Sequence, residues 1–512
     1  MVVNGMLQKK LKDLLSKNEN VINEKNIDEK IPTKLEDAKR LFEDYFHIPL
    51  NQDIILRTFT INGLNKQAML IFIDTLVDKT MIENSILNPL LTNTDHGVAI
   101  ENIITNTSLK KTKKVNDCIQ EAGTGNSVLL IDGYDTAFTM STAKYEARSI
   151  ENPENEISLL GPKEGFSEKL ETNINLIRNT CKSKDLIFES ADISSRAHNR
   201  ISLVYFKDLA NEEILATIKS RLAQIDVGAL ETLSLIRQSI GDHPYSLFPT
   251  VLQSERPDRT IKYLDNGHIV ILMENSPSAL IMPSSFWSFL HGPDDNYLKF
   301  FFGYFTRVLR YLSLFLTLFA SGFYVAVSSF HAEMIPPDLL LAIASTREKV
   351  PFPAFIEVFL MELSFELIRE AGLRVPSPIG PTIGIVGAII LGQAATEANI
   401  VSPIVIIVVA LSGLCSFVIG DIELNYTVRI LRAFFIIAAG LFGIYGMAIL
   451  FAMILIYLAA MNSFGIPYLA PITPKFKGAK DTVMRSILKK EKWRSGQLKP
   501  KDEIKRGTSN ES

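Results

Sequence analysis

Cysteine is scarce in this chain: 3 residues in 512 (Cys118, Cys181, Cys415), with no CxxC pair. That excludes a disulfide framework or a zinc ribbon and fits a reducing compartment for the soluble part. The 7 histidines are scattered, and no HExxH occurs. No GxSxG nucleophile elbow is present, and GPKEG (residues 161–165) lacks the GK[ST] ending of a phosphate loop. No catalytic constellation, cofactor or metal is therefore expected. A net charge of only -3 gives no basis for a nucleic-acid partner. The opening MVVNGMLQKKLKDLLSKNEN has no apolar core. The expectation is that it is no signal peptide and that the soluble part stays in the cytoplasm.

What the chain does have is a polar half and an apolar half. Residues 1–34, rich in Lys, Asn and Glu, read as a charged flexible arm. Two soluble units follow, at 35–149 and 156–290, and they resemble one another. GNSVLLIDGYDTAFTMS after position 124 aligns without a gap with GHIVILMENSPSALIMP after position 266. The alignment pairs Gly125 with Gly267, Leu130 with Leu272, Asp132 with Glu274, and Met140 with Met282. Each segment reads as a hairpin. Upstream, residues 68–91 and 201–222 each read as a strand, an acidic turn and a helix. The glycines of EAGTGNS (121–127) read as a turn into a strand. A duplicated α/β unit is implied.

A helical membrane domain is expected at 300–470. Residues 311–330 are long enough for one span of ~20 residues. Residues 331–353 are short and Pro-rich, which suits a re-entrant or interfacial piece. In FIEVFLMELSFELIR (355–369), Glu362, Glu366 and Arg369 share a helical face, so this helix lies in the interface or packs inward. Residues 404–419 read as a further span. Residues 430–461 are apolar for longer than one span needs, with Gly440, Gly443 and Gly446 midway. They form either one tilted helix or a tight hairpin. Lys299, Arg307 and Arg310 before the first span, and the basic tail 475–512, place both flanks in the cytoplasm. A solvated amphipathic helix is the plainer account of the tail.

Within this region PTIGIVGAIILGQAATEANIVSP (381–403) begins apolar and ends polar. Thr382, Val386, Ile389, Gln393 and Thr396 stack on one side of a helix, and Glu397 adjoins them. A helix that only fills lipid has no use for the polar end. A helix that lines water does, and an ordinary packing helix ending at headgroup level is the alternative. In a symmetric ring, Val386 and Ile389 would shut a pore by dewetting, and Gln393, Thr396 and Glu397 would form a polar, cation-favouring mouth. Glu362, Glu366 and Arg369 could guide cations, pair with a partner subunit, or form a solvated face. In ERPDR (255–259), Arg256, Asp258 and Arg259 read as a structural clamp that locks a loop between the subdomains by bidentate pairs, in preference to a ligand site.

The chain resembles the A subunits of the spore germinant receptors, the GerA family. The residues that carry this are GPKEGFSEKLETNINLIR (161–178), FPTVLQSERPDR (248–259), SFWSFLHGPDDNY (285–297), VPSPIGPTIGIVGAIILGQAATEANIVSP (375–403) and ALSGL (410–414). Where the family usually has Arg before the first Gly-Pro, this chain has Leu160. The resemblance implies a spore inner-membrane protein that works with a permease-like B subunit and a lipoprotein C subunit. It implies self-association into a ring around a nutrient-gated ion path. The expected fold is two tandem cytoplasmic α/β subdomains followed by a multi-span helical membrane domain. A non-conducting scaffold and a secondary transporter remain as alternatives, though few spans and no inverted repeat argue against the transporter.

Overall fold

The computed structural model describes residues 29–505, apart from 96–97, 145–152, 154–155, 157–159, 194–198, 226, 229, 375–386, 388–389, 477–479 and 488–490. Most of the expected arm therefore lies outside the described residues. Its end does not behave as an arm: Lys30 bridges to Lys114, and Ile31 is buried in the first unit.

The first unit opens with α1 (Leu35–Phe46), which places Leu35, Ala38, Phe42 and Phe46 on one buried stripe. Strands β1 (Ile54–Ile61) and β2 (Lys66–Ile73), edge strand β3 (Lys110–Thr112), helix α2 (Val115–Gly123) and hairpin β4 (Asn126–Ile131)–β5 (Ala137–Ser141) follow, with consecutive short helical segments over Lys79–Ile82, Glu83–Leu87 and Asn88–Thr92, and another at Ile100–Ile103, between β2 and β3. The second unit repeats the plan. It contains α3 (Leu170–Thr180), β6 (Leu186–Ile193), β7 (Asn199–Phe206), α4 (Glu212–Ala223), α5 (Leu233–Ile240), β8 (Leu252–Ser254), α6 (Pro257–Asp265), β9 (Ile269–Met273) and β10 (Ala279–Met282).

The sheet orders are β1-β2-β4-β5-β3 and β6-β7-β9-β10-β8, which is one topology used twice. The registers agree as well. Ala68 faces Ile131 where Ile201 faces Met273, and Met69 faces Leu130 where Ser202 faces Leu272. Gly125 and Gly267 share positive φ values of 88° and 91°. Asp132 and Glu274 do the same task, each accepting from the first backbone N–H of its unit's leading helix, Leu35 at 3.0 Å and Leu170 at 3.3 Å. Duplication is thus visible in bonds as well as in sequence. Every neighbouring pair in both five-stranded sheets is antiparallel, so the α/β expectation is refined to helices layered on antiparallel sheets. Strands β4 and β9 are apolar without alternation because both sheet faces are covered.

The long helices that follow among the described residues are α7 (Phe300–Phe330), α8 (Pro337–Arg347), α9 (Ala354–Arg374), α10 (Pro403–Phe417) and α11 (Ile422–Ala460). A further helical piece covers residues 390–397. Among the described residues, two helices, α7 and α11, are long and apolar enough to cross a membrane. α7 starts well before the expected position 311. α10 is shorter than the expected span; its 15 residues rise ~22 Å.

α11 is not straight. Gly443 has φ 64° and ψ -145°, a conformation open essentially to glycine alone. Thr427 donates to the Leu247 carbonyl, while Tyr457 packs on Phe248 with ring centroids 6.4 Å apart. Thirty residues of straight helix would separate Thr427 from Tyr457 by ~45 Å. Both instead touch one short loop, so α11 folds back at Gly443 as a hairpin, the second of the two forms expected. Phe319 of α7 touches both arms, at Phe435 (4.8 Å) and Phe451 (5.3 Å).

The two halves share a core. Leu424, Val428, Leu431, Leu458 and Met461 of the hairpin region join Leu186, Val204, Leu264 and Leu272 of the second unit in one buried cluster. The tail also packs back. Leu498 enters the core on the other face of that sheet, and Lys501 pairs with Glu212 at 2.7 Å. The expectation of a solvated amphipathic tail helix is thus corrected: among the described tail residues, the α-helix is only Lys480–Val483.

Candidate functional site

Three of the motifs behind the resemblance converge between the second sheet and α7. Arg256, fully buried, grips Asp258 in two bonds, Nε to Oδ1 at 2.9 Å and Nη2 to Oδ2 at 2.7 Å. Its Nη1 stands 3.7 Å from Asp294, and Tyr297 donates to Asp258 Oδ2 at 2.6 Å. Arg259 pairs with Glu156 and donates to the Ser288 and His291 carbonyls, each at 3.2 Å. Gly161 lies so close that a Cβ there would stand 2.7 Å from the Tyr297 ring. Burial alone would raise the Asp258 carboxyl, but bonds from Arg256 and Tyr297 outweigh it and hold it below the ordinary carboxylate range. The clamp residues therefore tie α6 to the linker between the two units and to the segment entering α7.

Below them sits Asp295, 1% exposed. Arg310 of α7 meets it in a fork of two 2.7 Å bonds, and Arg307 Nε stands 3.5 Å away. Burial raises the Asp295 carboxyl, and the two arginines outweigh that and lower it. Arg307 and Arg310, expected as charges flanking a membrane, are thus occupied inside the protein. From the tail, Arg485 donates to the carbonyls of Leu298 (2.7 Å) and Lys299 (2.8 Å), bracing the same turn.

The sheet-to-sheet tie is a different pair. Arg178 and Asp53, 1% and 3% exposed at their side chains, stand 3.3 Å apart, and Asn51 bonds the Leu186 carbonyl at 3.3 Å. Burial pulls the Arg178 guanidinium down against the opposing pull of Asp53.

Among the helices, Glu362, Glu366 and Arg369 of α9 turn inward. Arg432 of α11 reaches Glu366 at 2.7 Å and Glu362 at 2.9 Å, and Arg429 closes a bidentate pair with Glu366. Ser321 of α7 donates to Glu362 at 2.6 Å, and Arg369 donates to Ser416 of α10 at 2.8 Å.

Of the residues expected to line water, Thr382, Val386 and Ile389 lie outside the described residues. Gln393 and Glu397 are exposed and bonded to each other at 2.9 Å, while Thr396 is half-buried and bonds back to the Gln393 carbonyl at 2.8 Å. This helix meets its own chain through small residues: Gly392 lies against Ile406, and Ala395 joins the cluster of Val401 and Val405. Its polar pair faces away. Asp295, Asp53, Arg429, Arg432 and Arg485 were not singled out from sequence. The local signal was available only for Asp295, which sits in the PDDN run beside two downstream arginines.

Residues 40–497 match the family described as Bacillus/Clostridium GerA spore germination protein. The chain is 35% identical over 480 residues to spore germination protein KA of Bacillus subtilis (strain 168), covering 92% of this chain and 88% of that one. It is 37% identical over 347 residues to spore germination protein A1 of the same organism, covering 68% and 72%. The crystal structure of the N-terminal domain of the A subunit of the Bacillus megaterium germinant receptor GerK3 aligns with 51% of this chain and 99% of that one, at 23% identity and a TM-score of 0.39. A soluble pair of sheets fused to an apolar helical bundle defines the class, a two-part protein with a membrane-capable half. Within it, the chain belongs to the GerA spore germination protein family.

Proposed function

We propose that the chain is the A subunit of a nutrient receptor in the spore inner membrane, and that copies of it ring a nutrient-gated ion path. It acts without catalysis, beside a permease-like B subunit and a lipoprotein C subunit. The observation that carries this reading is the outward-facing Gln393–Glu397 pair on an apolar helix. A carboxylate and an amide on the outer face of an otherwise apolar helix suit a face covered by water or by other copies.

The bundle suits the role. α7 rises from the soluble half, α9 descends, the helical piece at 390–397 rises, α10 descends, and the two arms of α11 rise and return. That makes six passes with both flanks on the soluble, cytoplasmic side, and the hairpin supplies the even number. Val386 and Ile389 form the narrow apolar rings. Gln393, Thr396 and Glu397 form the mouth at the far side, where Glu397 favours cations.

The test is accessibility. In the receptor reconstituted with its partners, Gln393→Cys is treated with a charged, membrane-impermeant thiol reagent. Nutrient-triggered flux falls after modification if the face lines the path. Unchanged flux in a fully modified sample contradicts it and favours the scaffold.

A further inference from the structure

Helix α9 is pinned at both ends. At its start, Glu357, fully buried, accepts from the Ser402 backbone N–H at 3.0 Å and faces Arg347 of α8 at 3.3 Å. Toward its end come Glu362 and Glu366, one helical turn apart, against Arg429 and Arg432 of the first arm of α11. Arg432 is 2% exposed and shared between the two glutamates, and it also donates to Ser412 of α10 at 2.8 Å.

Such a cluster is a poor way to gain stability. Removing ions from water costs several kcal/mol each, and well-packed apolar residues hold helices as well. Charges at membrane depth are instead a mark of function. The spacing is informative. Two carboxylates at i,i+4 against two arginines at i,i+3 can pair in more than one register. A one-turn slip of ~5.4 Å of α9 along α11 brings Glu362 to the place Glu366 leaves, where it meets both Arg429 and Arg432 while Glu366 gives up its pairs. Ile368 of α9 lies against Gly387, and Glu357 holds the Ser402 backbone just past the helical piece that carries Gln393 and Glu397. The position of α9 therefore sets where that piece sits.

We propose that Glu362, Glu366, Arg429 and Arg432 are a register latch that holds the conducting helix in its resting position. Glu366 and Arg429 are its positioning residues. This rests on the pore reading above, and nutrient opens the path by moving α9 to the alternative pairing.

The experiment is potassium flux from vesicles holding the full receptor, with assembly measured separately. Glu366→Gln and Arg429→Gln each raise the nutrient-independent leak by roughly tenfold. The double variant leaks no more than either single change, because both remove one interaction. Arg429→Lys, which keeps the charge but loses the fork, falls between wild type and Arg429→Gln. Wild-type leak and nutrient response in assembled Arg429→Lys and Glu366→Gln receptors overturn the latch, as do single effects that multiply in the double variant. The Gln393→Cys block, run on the same vesicles, separates the two failures. A block with unchanged latch variants sinks the latch alone, and no block sinks the pore reading beneath it.

Discussion

His268 shows how a single residue ties stability to pH. It is 3% exposed, and its Nδ1 donates to the Tyr263 carbonyl at 3.0 Å. Burial pushes its pKa down to about 4, so the ring is neutral in the fold. A base depressed in the folded state contributes stability that is complete above its unfolded value of ~6.5 and is lost as pH falls toward about 4. The expected loss by pH 5 is about 2 kcal/mol relative to pH 7. Unfolding of the protein in detergent at both pH values, in wild type and His268→Gln, checks this. The pH-dependent difference shrinks by that amount in the variant, and an identical difference refutes it. The residues that could be read from sequence were those whose partners are close along the chain. Arg256 and Asp258 are two apart, and their pairing could be anticipated. Arg178 and Asp53 are 125 apart, and Arg432 and Glu366 are 66 apart. Charge pairs across elements leave no periodic trace, so they emerge only with the fold.

At the scale of elements, periodicity and repetition carried most of the information. The two hairpins, the strand–turn–helix units and their common order were visible because a strand buried on both faces reads as an apolar run with turn residues at its ends. The inward packing of α9 was one of two readings, since a helix with charges on one face looks alike in an interface or in a core. α11 had the same ambiguity. Length and composition gave one long helix or two short ones, and only the backbone at Gly443 decides. Spin labels at Tyr426→Cys and Ile456→Cys, both on exposed positions, test that decision. The hairpin predicts a separation of ~10–20 Å, from helix axes 8–10 Å apart plus label reach. A straight helix predicts ~45 Å.

At the scale of the molecule, the soluble half is not a tethered domain. One apolar cluster runs from the second sheet into the ends of the α11 hairpin, and Asp295 locks Arg307 and Arg310 at the foot of α7. Packed side chains and buried charge pairs therefore join the second unit to the bundle. The tail adds a strap through Arg485. Composition alone suggested a free basic tail, because Lys and Arg counts do not reveal which carbonyls a guanidinium will meet. The central claim, that this bundle conducts through the face of Val386 and Ile389, is tested most directly by potassium flux from vesicles holding the receptor with its partners. Wild type is compared with Val386→Ala, with and without nutrient. The account predicts a quiet wild type that nutrient opens and a variant that leaks without it. A variant that stays as tight as wild type, in a complex that assembles and binds nutrient, contradicts it.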